Sequence, residues 1–209
     1  MEESPIIRWS SDIPELISDS KKNSEIVIGL DRDGTINKDL GTYVTHPEDF
    51  TPIEGSLEAI ASLRKHGFQI VIITNQGGIE QGKMSQKDVD RVHDKMFQLL
   101  GKAGCRNIDA LYYSASNRKD DEFAKPNIGM FKRCEKENPN IKFNKGYYVG
   151  DKLTDLKAAI KIGAKPILVR TGYGSETEEK LKRHTYQKIK KQTKIFDDLS
   201  SFATWMQKN

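Results

Sequence analysis

Two acidic residues, Asp31 and Asp33, stand one residue apart directly after the apolar residues 26–30, in the stretch IVIGLDRDGTINKD. Carboxylates at positions i and i+2 of an extended chain point to the same side, so both charges lie together at a predicted strand end. That arrangement is unfavourable unless a cation offsets it, and hard cations such as Mg²⁺ prefer carboxylate oxygens. The pair therefore indicates a metal site, chemistry at a carboxylate, or both.

Five short apolar stretches, rich in β-branched and aromatic residues, are typical of strands buried in a parallel sheet. They span residues 25–30, 68–74, 108–114, 145–151 and 164–170. Helical periodicities separate the strands, and this alternation predicts right-handed βαβ units and a doubly wound α/β sheet. Two of the helices are predicted to begin at the N-caps Ser85 and Thr154.

The chain is predicted to form one domain, residues 25–209, behind an N-terminal extension of residues 1–24. The connections after the first two strands, residues 35–55 and 76–108, hold a loop and at most one helix. No cap domain of any size fits there, so the site at the strand ends is expected to be open.

The C-terminal part of this domain has two features of its own. Residues 180–194 hold seven Lys and Arg residues, for which a solvated helix face is favoured over a nucleic-acid contact. Residues 195–206 predict a short final strand and a docking helix. The side chains expected to face the sheet are Phe196, Leu199, Phe202 and Trp205.

Composition excludes several classes of protein. A net charge of +4 suits phosphorylated ligands but is too small to establish nucleic-acid binding. Two distant cysteines, Cys105 and Cys134, argue against a disulfide framework and a Cys-based zinc site. The histidines are expected at the surface or in local hydrogen bonds. With no secretory or membrane-spanning pattern and no leftover apolar stripe, a cytoplasmic monomer is expected.

The polar residues after the strands are expected to meet. Ligands of doubly wound sheets bind at the carboxyl ends of the strands. The first predicted strand ends in Asp31 and Asp33, the second in residues 74–78, and the fourth in Asp151 with Asp155 beyond it. Carboxylates suit Mg²⁺, while a hydroxyl and approachable glycine N–H groups suit phosphate oxygens.

Lys125 lies just ahead of a predicted helix and can bring a positive charge to the same edge. A carboxylate nucleophile, a metal, a hydroxyl and a lysine together describe phosphoryl transfer through an aspartyl-phosphate. Taken one at a time, Lys125 is more often a surface lysine, and acids after a strand are more often a solvated turn or a helix cap. Their combination favours the chemical interpretation.

The motifs DRDGT, TNQ, KP and VGDKLTD occur in the order and spacing of the four motifs of haloacid dehalogenase (HAD)-type hydrolases. The longer stretches LDRDGTIN, YVTHPEDFTPIEG, TNQGGIEQGKMS and KPNIGM resemble the branch that contains the heptose-bisphosphate and histidinol-phosphate phosphatases. The resemblance covers about residues 26–174. It implies an enzyme, a Mg²⁺-dependent phosphoric monoester hydrolase.

The resemblance also implies roles for matching residues. Asp31 would be the nucleophile, and Asp33 the general acid and then the base that activates water. Mg²⁺ would be held by the carboxylates of Asp31 and Asp151 and by the backbone carbonyl of Asp33. The residues that would contact the phosphoryl group or the rest of the substrate are Thr74, Asn75, Lys125, Asp39, Tyr43, Gln76, Gly77 and Lys152.

The chain departs from this branch at a zinc loop. Relatives usually carry a Cys-x-His…Cys-x-Cys loop followed by Arg-Lys-Pro. The four ligand positions hold Ser114, Ser116, Asp121 and Phe123 instead, so no structural zinc is expected. Ala124 and Gln81 stand where relatives place arginines, which weakens the case for a second substrate phosphate. The possible substitutes are Arg32, Arg118, Lys119 and Lys83.

The favoured activity is that of a D-glycero-D-manno-heptose 1,7-bisphosphate 7-phosphatase, acting on a small phosphorylated metabolite. Histidinol phosphate and a nucleic-acid 3′-phosphate are alternatives with the same chemistry, because the site is open and the tail is basic. A non-catalytic protein that binds a phosphorylated ligand or a protein partner is a third hypothesis. Such a binder would need neither Asp31 nor Asp33.

Overall fold

Six strands run through residues 25–209, the part of the chain that the computed structural model describes. They are β1 (Val27–Leu30), β2 (Gln69–Asn75), β3 (Ala110–Ser114), β4 (Tyr147–Gly150), β5 (Lys165–Val169) and β6 (Lys194–Phe196). All neighbours pair in parallel, in the order β3-β2-β1-β4-β5-β6. The predicted doubly wound α/β sheet is confirmed. The predicted extension, residues 1–24, lies outside the described residues.

Seven α-helices connect or follow these strands in the described part of the chain. They are α1 (Ser56–Lys65), α2 (Gln86–Lys102), α3 (Gly129–Glu137), α4 (Leu153–Ile162), α5 (Gly174–Leu181), α6 (Gln187–Gln192) and α7 (Leu199–Lys208). None of the helices in the described residues is long and apolar enough to cross a membrane.

The helices cover both faces of the sheet because side chains alternate along each strand. Ile28 and Leu30 of β1 pack in a core with α1, α2 and α7. The side chain of Val27, the residue before Ile28, points to the opposite face and packs there with α3 and α4. Helices α5 and α6 extend that second layer through Leu181 and Ile189. With both faces covered, the strand ends are where polar side chains can reach solvent.

The C-terminal prediction is confirmed in its main features. Helix α7 follows the short strand β6 and buries Leu199 and Phe202 completely. Phe196 and Trp205 are partly buried against the same core, and both rings contact Phe202. Cys105 and Cys134 are buried thiols, whose pKa values burial raises to about 11 and about 12. Both cysteines therefore stay protonated.

One helix start differs from its prediction. Ser85 is the N-cap of α2, as expected, and forms a capping box with Asp88. Thr154, however, is not the N-cap of α4, which already begins at Leu153. The carboxylate of Asp155 instead accepts the backbone N–H of Lys152 at 2.9 Å, so Lys152, two residues before Thr154, is the N-cap.

No cap domain interrupts the sheet within residues 25–209. The chain between β1 and α1 contains a single 3₁₀ turn, Pro47–Asp49, and the chain between β2 and α2 is a short loop. The expected absence of a cap at these two places is thus confirmed. The edge of the sheet beyond β1 and β2 is left accessible.

Candidate active site

The carboxyl ends of β1, β2 and β4 open into a cleft of about 780 Å³. The parallel register places them side by side, since Leu30 is paired with Ile72 on one side and Val149 on the other. The predicted residues that line the cleft are Asp31, Asp33, Asp39, Tyr43, Thr74, Asn75, Lys125 and Lys152. Asp151, Gln76 and Gly77 are buried and contact residues of this lining.

Asp31 is held by two donors on one carboxylate oxygen. Its Oδ1 accepts the backbone N–H of Arg32 at 2.8 Å and lies 2.8 Å from the ammonium of Lys125. Both contacts use Oδ1, so neither of these donors occupies Oδ2. Burial raises the pKa of Asp31, and the Lys125 ammonium opposes that rise.

Lys125 is buried and held on several sides. Its Nζ lies 2.8 Å from Asp31 and 2.7 Å from Asp155, and it donates to Tyr148 Oη at 2.9 Å. Burial alone would lower its pKa, but the carboxylates of Asp155 and Asp31 raise it well above the usual lysine value. The amide of Asn75 fixes the backbone by pairing with both Lys125 N–H, at 2.9 Å, and Lys125 C=O, at 3.2 Å. Lys125 is therefore a fixed cation.

Three buried carboxylates could hold a metal ion. Oxygens of Asp31, Asp151 and Asp155 lie within 4.8 Å of one another, the single such group found among the described residues. Asp155 is already engaged by Lys125 and by the backbone of Lys152. Asp151 accepts the N–H of Tyr173 on Oδ2 at 2.8 Å, while its buried Oδ1 has no hydrogen-bond partner in residues 25–209.

The unpartnered oxygen tests whether a cation fits here. Burial, together with the charges of Asp155 and Asp31, raises the pKa of Asp151 to about 8. The positive charge of Lys152 opposes this rise. A buried anionic oxygen without a donor is unfavourable, and a divalent cation removes that penalty. Carboxylate oxygens on a compact buried site match the preference of Mg²⁺. The residues present fit such an ion.

Two glycines make room for Asp151. Gly34 has φ +84° and Gly172 has φ +56°, conformations that other residues rarely adopt. A Cβ at Gly34 would lie 2.2 Å from Asp151 Oδ2, and a Cβ at Gly172 would lie 2.3 Å from it. Glycine in the DRDGT motif is thus required both by backbone conformation and by the carboxylate packed against it.

Asp33 is surrounded by donors. Both of its oxygens accept Nη2 of Arg32, at 2.9 Å and 2.8 Å, and Oδ1 also accepts Nε at 3.2 Å. Asn37 donates to Oδ1 and Gln76 to Oδ2, each at 2.9 Å. Burial would raise the pKa of Asp33, but Arg32 and the two amides outweigh it and lower the pKa. The carboxylate is held ionised, in the form that can accept a proton.

Comparison with known proteins identifies the family. The polynucleotide kinase 3 phosphatase family matches residues 26–199. A D-glycero-beta-D-manno-heptose-1,7-bisphosphate 7-phosphatase of Pseudomonas putida is 36% identical, over 83% of this chain and 95% of its own. A D-glycero-D-manno-heptose-1,7-bisphosphate 7-phosphatase of Chlorobaculum tepidum is 37% identical, over 72% of this chain and 81% of its own. The chain belongs to this family of HAD-type phosphatases.

The solved structures agree. The D,D-heptose 1,7-bisphosphate phosphatase from B. bronchiseptica, complexed with magnesium and phosphate, superposes with a TM-score of 0.79 at 30% identity. It covers 88% of this chain and 98% of its own. The corresponding phosphatase of Burkholderia thailandensis has a TM-score of 0.66 at 29% identity. The predicted HAD resemblance, including its heptose-bisphosphatase branch, is confirmed.

In this family member, the outer wall of the cleft contains the remaining predicted contacts. Lys152 pairs with Asp39 at 2.8 Å and lies over the ring of Tyr173, 4.9 Å from its centroid. The hydroxyl of Tyr43 accepts from Gln81 at 2.8 Å and from Asn117 at 3.3 Å. Tyr43 is thereby fixed above the cleft.

Gly77 and Gly78 lie beneath this wall. A Cβ at Gly77 would approach Asn117 Nδ2 to 2.1 Å, and a Cβ at Gly78 would approach the Tyr43 ring to 2.8 Å. The predicted role of these glycines for phosphate approach stays a prediction, but their packing role is clear. They let the loop after β2 lie directly against two side chains of the wall.

One proposed substitute for the missing arginines is wrong. Arg32 is fully buried and bound to Asp33 and Gln76, so it cannot reach a distal phosphate. Arg118 is exposed and paired with Glu80 and Asp120. Lys83 lines the cleft, with its ammonium 5.4 Å from the centroid of the Tyr43 ring. Lys83 is the substitute whose position suits the role.

The positions of the lost zinc loop contain a different arrangement. Ser114 and Ser116 are buried, and the hydroxyl of Ser114 donates to the Ser116 carbonyl and accepts the Ser116 N–H, both at 3.1 Å. Asp121 accepts the N–H of Phe123 at 2.8 Å. Hydrogen bonds within the loop thus fix its shape at the positions where relatives carry metal ligands.

Sequence reasoning missed one buried residue behind the cleft. His93, expected at the surface or in a local hydrogen bond, is buried in α2, and its Nε2 lies 3.2 Å from Arg32 Nη1. Its helical spacing from Val89 and Met96 placed it on the inner face. A buried imidazole on an otherwise apolar helix face was the signal available.

Proposed function

We propose that this chain is a Mg²⁺-dependent phosphatase that removes one phosphate from a small sugar bisphosphate through an aspartyl-phosphate intermediate. The observation that carries the proposal is the placement of Asp31, with one carboxylate oxygen fixed by Lys125 and the other available to the cleft. A protein that only bound phosphate would gain nothing from an anionic carboxylate at this position.

In the first step, Asp31 attacks the phosphorus atom and the bond to the leaving oxygen breaks. The Lys125 ammonium and the Thr74 hydroxyl bind the phosphoryl oxygens, which reduces the repulsion between two anions. The negative charge of an approaching phosphate opposes the effect of Arg32 and raises the pKa of Asp33, which takes up a proton from solvent and donates it to the leaving alcohol. The product is a phosphorylated Asp31 and a free sugar hydroxyl.

In the second step, Asp33 accepts a proton from a water molecule, whose oxygen attacks the phosphorus atom of the phosphorylated Asp31. Cleavage of the acyl-phosphate bond releases inorganic phosphate and restores the Asp31 carboxylate. Five hydrogen bonds from Arg32, Asn37 and Gln76 favour the ionised form of Asp33 that this step needs.

Magnesium would be held by the carboxylates of Asp31 and Asp151, with the backbone carbonyl of Asp33 as a further ligand. When bound, it supplies positive charge that offsets the negative charge of the nucleophile and the phosphate. No structural zinc is proposed, because Ser114 and Ser116 carry hydroxyl groups at these loop positions, and both hydroxyls are hydrogen-bonded to the backbone of the loop itself.

D-glycero-D-manno-heptose 1,7-bisphosphate is the favoured substrate. The relatives at 36% and 37% identity bear the name of its 7-phosphatase over most of this chain. The cleft of about 780 Å³ is large enough for a sugar with two phosphates. Asp39, Tyr43 and Lys152 offer polar contacts around it.

A polynucleotide 3′-phosphatase is the second candidate, favoured by the family description that matches residues 26–199. A polymer needs a basic surface that continues from the site. The seven basic residues in 180–194 are not part of the cleft lining. This separation favours the small substrate.

The test is phosphate release with Mg²⁺ by wild type and by Asp31→Asn. The panel holds both anomers of heptose 1,7-bisphosphate, histidinol phosphate, other sugar phosphates and a 3′-phosphorylated oligonucleotide. Preference for a heptose anomer, lost with EDTA and in Asp31→Asn, supports the proposal. Preference for the oligonucleotide, with steep loss at high salt, would replace it by the second candidate. No turnover by wild type would exclude the enzyme.

We also propose that residues 25–209 form one folding unit and act as a monomer. The docking of α7 on α1 and beside β6 ties the C-terminus into the same core as the first strand. A chain that starts at Glu25 is therefore expected to keep the activity and unfold in one transition. A second transition would contradict it.

A further inference from the structure

A fully buried arginine lies directly behind Asp33. Arg32 has no exposed surface, although its guanidinium carries a permanent charge. Its donors go to three acceptors: Asp33, Gln76 Oε1 at 3.2 Å, and His93 Nε2 at 3.2 Å. A buried charge of this kind is favourable only when its donors are satisfied. The identity of each acceptor therefore matters.

The contact with Arg32 fixes the protonation of His93. A guanidinium has donors and no acceptor, so Nε2 of His93 must accept and the proton must sit on Nδ1. Burial, together with the Arg32 charge, lowers the pKa of His93 well below its usual value. His93 is accordingly a neutral hydrogen-bond acceptor that reaches from α2 to Arg32 in the loop after β1.

The imidazole has few ways to move. It is 1% exposed, and its ring centroid lies 5.7 Å from that of Tyr113 on β3. Helix α2, which carries it, is fixed at its start by the Ser85–Asp88 capping box. His93 therefore lies at a fixed place relative to the sheet, and it holds Nη1 of Arg32 there.

We propose that His93 is a positioning residue for Asp33 and acts through Arg32. This inference rests on the proposed function, in which Asp33 transfers the proton. Nη1 of Arg32 is held by His93, while Nη2 and Nε hold both oxygens of Asp33. Because the guanidinium is planar and rigid, fixing one end fixes the direction of the other. His93 thereby sets where the carboxylate of Asp33 points.

Loss of the acceptor has a specific consequence. A buried Nη1 without a partner drives the guanidinium to turn or water to enter, and either movement displaces Asp33. Misplacement of a reacting group by about 1 Å can cost about a hundredfold in rate. The loss falls on steps in which Asp33 moves a proton, whereas Lys125 is held by Asp31, Asp155 and Tyr148 and is expected to keep its place for phosphate binding.

The leaving group provides the test. An alkyl phosphate needs a proton on its leaving oxygen, while p-nitrophenyl phosphate releases a stable anion without one. kcat/KM reports the reaction up to the phosphorylation of Asp31, which includes this proton transfer. We expect His93→Leu to lower kcat/KM for the preferred sugar phosphate by about 100-fold. For p-nitrophenyl phosphate we expect a change of less than about threefold, because no proton is required.

Two further variants separate positioning from loss of structure. His93→Gln keeps an acceptor for Arg32 and is expected to recover most of the lost sugar-phosphate activity. Val92→Ala removes a neighbouring buried side chain that has no hydrogen-bonding group to offer Arg32, so both esters should be affected by the same factor. Thermal unfolding of each variant shows how much folded protein is present, and rates are corrected for it.

The outcomes are distinct. A selective loss with the sugar phosphate in His93→Leu, recovered in His93→Gln, supports the positioning role. Equal losses with both esters, or no loss, would overturn it while wild-type turnover leaves the proposed function standing. A wild type that hydrolyses neither ester would overturn the proposed function and this inference together.

Discussion

The ammonium of Lys125 lies 2.8 Å from Oδ1 of Asp31, and both groups are almost completely buried. A buried ion pair of this kind orients Asp31, the proposed nucleophile, before any ligand arrives, because the occupied oxygen cannot turn toward the cleft. The same lysine lies 2.7 Å from Asp155, so one cation balances two carboxylates. Both the site and the stability of this edge of the sheet depend on it.

Removal of that cation should damage both activity and stability. Lys125→Met leaves Asp31 and Asp155 buried without their partner, which we expect to lower the free energy of unfolding by about 3 kcal/mol. kcat/KM should fall by about 100-fold or more, because a donor to the phosphoryl group is lost. Lys145→Met breaks an exposed ion pair with Glu25 and serves as the control. Equal stability of the two variants in urea would contradict the assignment.

Magnesium should stabilise the folded protein through Asp151. A ligand at 100 times its dissociation constant adds about 2.7 kcal/mol to the free energy of unfolding. We expect a shift of this order in wild type, and little or none in Asp151→Asn, in thermal scans with and without Mg²⁺. Asp94→Asn, an exposed change on α2, should keep the full shift. A shift retained in Asp151→Asn would show that the ion binds elsewhere.

Gly34 can be tested against a matched glycine. Gly34→Ala forces a Cβ into Asp151 at φ +84°, whereas Gly104→Ala, at φ +92°, meets nothing within 4 Å. Both changes strain the backbone by about 1–2 kcal/mol. Gly34→Ala alone should also weaken Mg²⁺ binding and lower kcat/KM by at least about 100-fold, since it displaces Asp151, a proposed metal ligand. Equal activity of the two variants would contradict the claim that the packing of Gly34 against Asp151 matters for activity.

Lys83 should contribute to the recognition of a second phosphate. Among the three lysines that line the cleft, Lys125 and Lys152 are in ion pairs, whereas no ion pair of Lys83 is found in the described residues. Lys83→Gln is expected to raise KM for a sugar bisphosphate about tenfold and to leave a monophosphate almost unchanged. Lys87→Gln, on the exposed start of α2, is the control. Equal effects on both esters would exclude the role.

His93 should make the protein less stable in acid. The unfolded chain protonates this imidazole near pH 6.5, whereas in the folded chain burial and Arg32 depress its pKa. The unfolded state then binds more protons, so the contribution of His93 is present above about pH 6.5 and is lost as the pH falls.

The comparison of wild type with His93→Gln isolates that contribution. Between pH 7.5 and 5, wild type should lose at most about 2 kcal/mol more than the variant in urea unfolding. Titration of the acidic residues cancels in this difference, since both proteins contain them. A larger loss in the variant would mean that His93 is charged in the folded state.

The sequence was sufficient to predict the positions of those residues that lie at the ends of parallel strands. Asp31, Thr74 and Asp151 each follow a buried apolar stretch, and the sheet brings such ends together. Lys125 follows no strand, and its role came from a motif resemblance. The network behind Asp33 could not be predicted, because His93 and Arg32 are 61 positions apart and nothing local links them.

Smaller errors have a similar origin. Thr154 has the usual chemistry of an N-cap, but the competing carboxylate of Asp155 reaches the Lys152 N–H and moves the helix start. Arg32 was named as a possible substitute for the missing arginines, and only the packed structure reveals the acceptors around its buried guanidinium. A local capping hydrogen bond decides the first case, and long-range hydrogen bonds to Gln76 and His93 decide the second.

The strand that precedes Asp31, β1, comes first in the described chain but lies inside the sheet, between β2 and β4. During synthesis β1 and β2 can pair early, yet the other edge of β1 stays unpaired until β4, which ends at Gly150, has left the ribosome. An exposed strand edge invites pairing with other chains. The catalytic centre is thus completed late in folding, and turnover reports that the sheet has closed on both sides of β1.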